Sequence, residues 1–232
     1  MDASHTLYHG STHAVAFPSL SKGRPHNDFG RGFYCTDNSK LAAEWACKNR
    51  SDGFVNEYGF EPSGLRTLDL LDGSFTVLHW IALLLKNRTF ALQLDAARQA
   101  REFLLDNYLV DTTNFDIVIG YRADDSYFSY AQAFVENGLP IRLLGRALQL
   151  GNLGEQTVLV SDRAFECLRF EQARMVRSAE YYPRFKQRDS DARMGYREML
   201  AKAPIQKDDL FIFDIMRKGG NADDWRIQRN LR

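Results

Sequence analysis

The hydrophobic and polar positions along the chain predict strands separated by helices. Residues 74–87 and 92–109 lack proline and glycine and carry apolar residues at helical spacing, so both are predicted helices. Asn38 or Ser39 is expected to cap a further helix that begins at LAAEWACKNR. Short apolar or alternating runs predict strands at TLYHG, GFYCT, DIVIG and QTVLV. This mixture favours an α+β fold.

The remaining segments suggest a hairpin, a helical pair and a basic extension. FVNEYGF and LRTLDL flank the turn EPSG, which predicts a β-hairpin. Residues 127–149 predict two short helices split at NGLP. We expect one main domain over residues 1–170, and a mostly helical extension packed on it over 171–232. The extension contains 14 Lys and Arg against 10 Asp and Glu, so it is mildly basic. A solvated helix face packed on the domain is the favoured interpretation, and a substrate- or partner-docking arm is the alternative.

Composition narrows the functional classes. The 232 residues carry no net charge, so no global field attracts nucleic acid or an anionic membrane. The three cysteines fit neither a zinc site nor a disulfide framework, which indicates a reducing compartment. The N-terminus lacks the features of a secretory signal, and the most apolar run, FTVLHWIALLL, is too short for a membrane span. We therefore expect a cytoplasmic protein without a membrane partner.

Most common catalytic motifs are absent from the sequence. There is no G-x-S-x-G elbow, no phosphate-binding loop and no H-E-x-x-H pair, and no metal is expected. Three short patches remain: LYHGS at residues 7–11, DFGRGFYCTD at 28–37 and GEQTVLV at 154–160. The glycines and aromatic residues of the second patch fit either a tight turn before a core strand or a loop that grips a ligand.

In this order, the patches resemble the NAD-binding core of the ADP-ribosyltransferase superfamily, specifically its poly(ADP-ribose)-polymerase-like branch with a His-Tyr-Glu/Gln site. The H-G-S strand end and the F-G-x-G-x-Y motif are matched by His9, Gly10, Ser11, Phe29, Gly30, Gly32 and Tyr34. The chain also resembles an uncharacterised bacterial toxin-like family of that fold, often encoded beside small antitoxin-like partners. The resemblance covers roughly residues 5–170. It implies an ADP-ribosyltransferase-like split β-sandwich with surrounding helices and a C-terminal helical extension.

The resemblance also implies roles for these residues in binding NAD. His9 hydrogen-bonds the adenosine ribose, while the Gly10 backbone and the Ser11 hydroxyl hold the nicotinamide carboxamide. Tyr34 stacks on the nicotinamide ring. The turn that brings the backbone close to NAD contains Phe29, Gly30 and Gly32, and Arg24 is the candidate cation near the adenosine or diphosphate. Taken alone, His9 also fits a structural histidine and Tyr34 a core aromatic residue.

Two positions leave alternatives open. A second stacking tyrosine of some relatives aligns with Trp45 or Glu44, and core packing is the favoured interpretation of Trp45. The third motif offers Gln156, preceded by Glu155, where strongly active transferases carry a glutamate. Strand alternation places these two side chains on opposite faces, so only one can enter the site. Gln156 brings no negative charge, which disfavours polymer elongation, whereas a register shift would make Glu155 catalytic.

The resemblance therefore implies an NAD-dependent mono-ADP-ribosyltransferase of toxin or effector type. NAD is its co-substrate, nicotinamide is released, and the acceptor is a macromolecule, either protein or nucleic acid. The resemblance also implies a small antitoxin-like protein as partner. Two alternatives stay open: a non-catalytic module that binds NAD, ADP-ribose or a partner, and an NAD glycohydrolase.

Overall fold

The computed structural model describes residues 5–123, 125–150, 154–219 and 225–228. The chain has an α+β fold with two β-sheets. It divides into two compact units, each built from three segments. Unit 1 comprises Met1–Asp69, Thr112–Gly120 and Gly154–Ser190, and unit 2 comprises Leu70–Asp111, Tyr121–Leu153 and Asp191–Arg232.

The strands and helices follow one another along the whole chain. The strands are β1 His5–Ser11, β2 Phe33–Cys35, β3 Gly53–Phe60, β4 Thr67–Asp69, β5 Ile117–Tyr121, β6 Glu155–Leu159 and β7 Leu168–Val176. The helices are α1 Ser39–Cys47, α2 Val77–Asn87, α3 Asp95–Tyr108, α4 Asp125–Val135, α5 Ile141–Ala147, α6 Asp162–Glu166, α7 Ser178–Lys202, α8 Ile212–Arg217 and α9 Trp225–Gln228. A short 3-10 turn spans Leu20–Lys22.

Unit 1 contains both sheets. Strands β1, β3 and β7 form an antiparallel sheet in that order, and the second sheet has the order β2-β6-β5-β4. In the second sheet β2 pairs antiparallel with β6, and β4 pairs parallel with β5. One hydrophobic core joins the two sheets, because it combines Leu7 and Tyr58 from the first with Phe33, Ile117 and Leu159 from the second.

The sheets also meet at one pair of residues on their edge strands. The backbones of Tyr8 in β1 and Thr36, just after β2, exchange two hydrogen bonds of 2.8 and 3.0 Å. Among the described residues, backbone bridging between β1 and β2 is limited to this pair. Backbone pairing between the two strands is therefore limited to this point and does not continue towards Gly10 and Tyr34.

Helix α1 packs closely on the first sheet. The Asn38 side chain caps the helix by accepting hydrogen bonds from the N–H groups of Lys40 and Leu41. Its small residues Ala42 and Ala46 are buried against the sheet. A Cβ on Gly10 would lie 2.0 Å from the Ala42 carbonyl oxygen, so this strand position excludes any side chain.

Unit 2 is helical. Helix α2 is apolar around almost its whole circumference, and Thr76 and His79 form a capping box at its start. Its Trp80 donates a hydrogen bond to the Tyr121 carbonyl oxygen. The rings of Tyr130 and Tyr196 stack at 4.1 Å between centroids, and Arg142 binds Asp209 through two hydrogen bonds.

Along the part of the chain that the structure describes, no helix is both long and apolar enough to span a bilayer.

The helices predicted over 74–87, 92–109 and 127–149 are confirmed, and so are the four predicted strands. The predicted hairpin is wrong, because β3 pairs with β1 and β7 whereas β4 pairs with β5. Alternation identifies a strand but not its partner. Strand β7 begins before residue 170 and extends the first sheet into the segment expected to be helical. Leu168 and Phe170 of this strand pack against the shared core, but the polar residues that follow them interrupt the alternation that marks a strand in sequence.

Replacing Gly10 by alanine tests the contact between β1 and α1. We expect Gly10→Ala to lower the free energy of unfolding by about 3 kcal/mol, because the new methyl group overlaps helix backbone, which cannot rotate away. Urea unfolding of the purified chain measures the change. Gly195→Ala in α7 is the matched control: its nearest contact is Leu150 Cδ2 at 3.4 Å. It should raise stability by about 0.5–1 kcal/mol, and an equal loss in both variants would contradict the packing argument.

Candidate functional site

His9 lies where β1 and β2 begin to separate. Its Nδ1–H donates to the Tyr34 carbonyl oxygen at 2.8 Å, and its ring lies 4.3 Å from the ring of Phe33 between centroids. Burial lowers the pKa of His9, although the bond to Tyr34 opposes this effect. A carbonyl oxygen can only accept, so Nδ1 carries the proton and Nε2 of the neutral ring is an acceptor.

Gly10 presents its backbone to the same gap. In an edge strand, alternate residues direct their N–H and C=O groups to opposite sides. The backbone groups of Tyr8 bind Thr36, so those of Gly10 point in the same direction, away from β3. If the pairing continued, Gly10 would lie opposite Tyr34. The Tyr34 carbonyl oxygen instead accepts from His9, so the imidazole takes the position of the next backbone hydrogen bond.

Tyr34 anchors the loop of residues 18–32. Its hydroxyl donates to the Gly30 carbonyl oxygen at 2.8 Å and accepts from the Phe29 N–H at 3.0 Å. The Tyr34 side chain is partly buried, whereas Phe29 is buried. The loop therefore folds back onto the strand that follows it, and the Phe29 ring belongs to the interior.

The two glycines of the turn, Gly30 and Gly32, are required for two different structural reasons. Gly30 has φ of +81°, in the left-handed region that favours glycine. A Cβ on Gly32 would lie 2.5 Å from Val158 Cγ1 in β6. Of the two interpretations of FGRGFYCTD, the tight turn before a core strand therefore explains both glycines by itself. A ligand role for them stays a prediction.

The neighbouring residues Gln156 and Glu155 lie on opposite faces of β6. Tyr34 pairs with Val158, so Gln156, two residues away, shares the face of Tyr34. Gln156 is 2% exposed, and its Nε2 donates to Asp28 Oδ2 at 3.1 Å. Glu155 is exposed; partial desolvation and the carboxylates of Asp69 and Asp37 raise its pKa. Gln156 is thus the residue of this pair that lies with Tyr34.

Asn56 in β3 holds the end of β1 in place. Its Nδ2 donates to the His9 carbonyl oxygen at 3.1 Å and to Ser11 Oγ at 2.8 Å, and its Oδ1 accepts from the Val15 N–H at 2.7 Å. The Ser11 hydroxyl proton goes to the His13 carbonyl oxygen, so Ser11 can offer a ligand only an acceptor. The sequence analysis did not select Asn56. The sequence feature that could have identified Asn56 is its position as a polar residue within a strand that is otherwise rich in apolar side chains.

The remaining predicted residues are Arg24 on the loop and the two candidates on α1. Arg24 is exposed on the loop, and Arg31 holds the loop closed by donating to the carbonyl oxygens of Ser21 and Gly23. Of the two candidates on α1, Trp45 is partly buried. The Glu44 side chain is buried in a two-bond ion pair with Arg188. Glu44 is therefore a structural residue of unit 1.

Residues 5–170 match the family described as protein of unknown function, DUF3990. The chain belongs to this family, because the match covers well over half of its length. No curated protein and no solved structure matches the chain. The family description names no activity, so the resemblance to ADP-ribosyltransferases stays a prediction.

Removing the Asn56 side chain tests its role in holding β1. We expect Asn56→Ala to lower the free energy of unfolding by about 2–4 kcal/mol, because partly buried groups of His9, Ser11 and Val15 each lose a hydrogen-bond partner. Chemical denaturation measures the loss. Asn107→Ala on the exposed face of α3 removes one helix-surface hydrogen bond and should cost less than about 0.5 kcal/mol. Similar losses in both variants would refute a special role for Asn56.

The lowered pKa of His9 predicts a dependence of stability on pH. Near and below pH 6.5, the ordinary pKa of histidine, His9 binds a proton in the unfolded chain but stays neutral in the folded protein. The free energy of unfolding therefore falls as the pH drops. His9→Asn keeps an N–H donor near Nδ1 but does not titrate. The variant should lose less stability than the wild type between pH 7.5 and 5.5, by at most about 1.4 kcal/mol per pH unit. Parallel stability curves for the two proteins would contradict this assignment.

Proposed function

We propose that this member of a family without an assigned activity is a mono-ADP-ribosyltransferase, which moves one ADP-ribose from NAD to a macromolecular acceptor and releases nicotinamide. The observation that carries the proposal is that the backbone pairing of β1 and β2 stops after Tyr8 and Thr36, where the His9 imidazole takes the Tyr34 carbonyl oxygen and the next β1 residue is Gly10. The arrangement of two sheets around one core supports an ADP-ribosyltransferase-like split β-sandwich for unit 1.

The polar groups at this gap complement the nicotinamide half of NAD. A carboxamide has one carbonyl acceptor and one N–H₂ donor, which match the N–H and C=O of a single extended residue such as Gly10. Ser11 Oγ can accept a further N–H bond. The motif resemblance assigns stacking on the flat pyridinium to the Tyr34 ring, which is partly buried. The neutral His9 ring, with Nε2 as acceptor, suits a ribose hydroxyl donor.

The reaction needs little covalent chemistry from the protein. When the bond between ribose C1′ and the nicotinamide nitrogen breaks, its electron pair stays on that nitrogen and the positive charge moves to the ribose. An oxygen or nitrogen of the acceptor then bonds to C1′ and loses its proton to water. The protein contributes by holding NAD bent and by stabilising the ribose cation.

The setting of this activity is also part of the proposal. Cys35, Cys47 and Cys167 are free thiols, which suits a reducing cytoplasm where NAD is available. Gln156, an amide, supports transfer of a single ADP-ribose over polymer growth. A small antitoxin-like protein that restrains the enzyme completes the proposal.

NAD labelled on the adenine part, incubated with the purified chain and a cell lysate, tests the activity directly. We expect label on protein or nucleic acid together with free nicotinamide, and a loss of both by about 100-fold or more in His9→Ala. His5→Ala, at the exposed start of the same strand, is the matched control and should keep full activity.

Three outcomes separate the alternatives. Nicotinamide release without macromolecular label would identify an NAD glycohydrolase. NAD binding by calorimetry without turnover would indicate a binding module. Activity that survives unchanged in His9→Ala would reject this site.

A further inference from the structure

We propose that Asp28 supplies the negative charge that the amide at position 156 cannot, and that this carboxylate stabilises the positive ribose formed as the nicotinamide bond breaks. This inference rests on the proposed function. It adds a residue to the site and a reason for glutamine at position 156.

Contact between Asp28 and Gln156 is the first basis. The two side chains come from segments 128 positions apart in sequence, yet Gln156 Nε2 and Asp28 Oδ2 are 3.1 Å apart. An amide N–H₂ group is a donor, so Gln156 is suited to hold a carboxylate. A glutamate at position 156 would place two carboxylates in contact, where both could not remain ionised. Glutamine and aspartate together thus carry one negative charge at a place where two acids would conflict.

Burial is the second basis. Asp28 is 6% exposed and Gln156 is 2% exposed. A charge that is shielded from water acts more strongly on a neighbouring charge than the same group at the surface. A carboxylate held by a fixed amide also needs no reorganisation when the ribose becomes positive.

The position of Asp28 in the loop is the third basis. The next residue, Phe29, donates its backbone N–H to the Tyr34 hydroxyl, and Gly30 accepts from the same hydroxyl. The backbone that carries Asp28 is therefore held against Tyr34, whose own carbonyl oxygen binds His9. One chain of hydrogen bonds links His9, Tyr34 and the Asp28 loop, and Gln156 fixes the carboxylate from β6.

Asp28 takes no part in bond making. The electron pair of the broken C1′–N bond leaves with nicotinamide, the acceptor forms the new bond to C1′, and its proton goes to water. The carboxylate only lowers the energy of the positive ribose and is unchanged at the end. It should therefore influence the rate of bond breaking more than the affinity for NAD.

Exchanging the charge between the two positions tests the inference. Asp28→Asn keeps an oxygen acceptor for Gln156 but removes the charge. We expect it to lower kcat for nicotinamide release about 100-fold, while KM for NAD changes less than about threefold because ground-state binding is kept. The double variant Asp28→Asn with Gln156→Glu returns one carboxylate to the pair and should recover at least about tenfold of the lost kcat. Asp106→Asn, exposed on α3, is the matched control and should equal the wild type.

Two further readouts separate this role from a structural one. The thermal unfolding midpoint and the calorimetric affinity for NAD should be the same in Asp28→Asn and the wild type. A lowered midpoint with proportional loss of binding and turnover would overturn the proposal, since Asp28 would then only hold the loop. Activity of Asp28→Asn equal to or above that of the wild type would overturn it as well.

The two proposals fail in different ways. If the wild type releases no nicotinamide from NAD, the proposed function fails, and the role of Asp28 fails with it. If the wild type is active and sensitive to His9→Ala but the double variant is no better than Asp28→Asn, only the role of Asp28 is rejected.

Discussion

The single backbone contact between Tyr8 and Thr36 is the constraint on which the candidate site depends. Two hydrogen bonds join the edge strands of the two sheets at this pair, and the shared core holds the sheets together. A continued ladder would have paired Gly10 with Tyr34 and closed the gap. Instead the His9 imidazole takes the Tyr34 carbonyl oxygen, so the strands separate while each polar group keeps a defined direction. The split between the sheets thus creates the site and also fixes the tautomer of its histidine.

Several residues of the candidate site have structural roles that do not require a ligand. Gly10 allows α1 to approach β1, Gly32 allows the loop to approach β6, and Gly30 adopts a left-handed turn. The Tyr34 hydroxyl closes the loop onto its own strand. These roles explain the residue types without NAD, and they also give the rigidity that a site for a bent dinucleotide requires. Structural and functional roles are therefore compatible at the same positions.

The sequence predicted elements better than partners. The α1 cap at Asn38, the buried α2 and the strands β1, β2, β5 and β6 follow from local patterns of the chain. The hairpin was wrong and β7 was assigned to a helical segment, because strand pairing depends on residues far away in sequence. In the candidate site, motif spacing identified His9 and Tyr34. Asn56 and Asp28 were not, since a buried polar side chain is recognised only when its hydrogen-bond partners are known.

What the sequence by itself determined is the set of local preferences and the chemistry available: which segments are helical or extended, and which histidine, tyrosine and amide stand at motif spacing. Only the tertiary structure showed that Gln156 lies on the same face of the sheet as Tyr34. It also showed that the Asp28 carboxylate of the loop accepts a hydrogen bond from Gln156. The physical reason is that side-chain direction in a strand alternates residue by residue. The register, and with it the face of β6 on which Gln156 lies, is set by pairing and burial across the whole of unit 1.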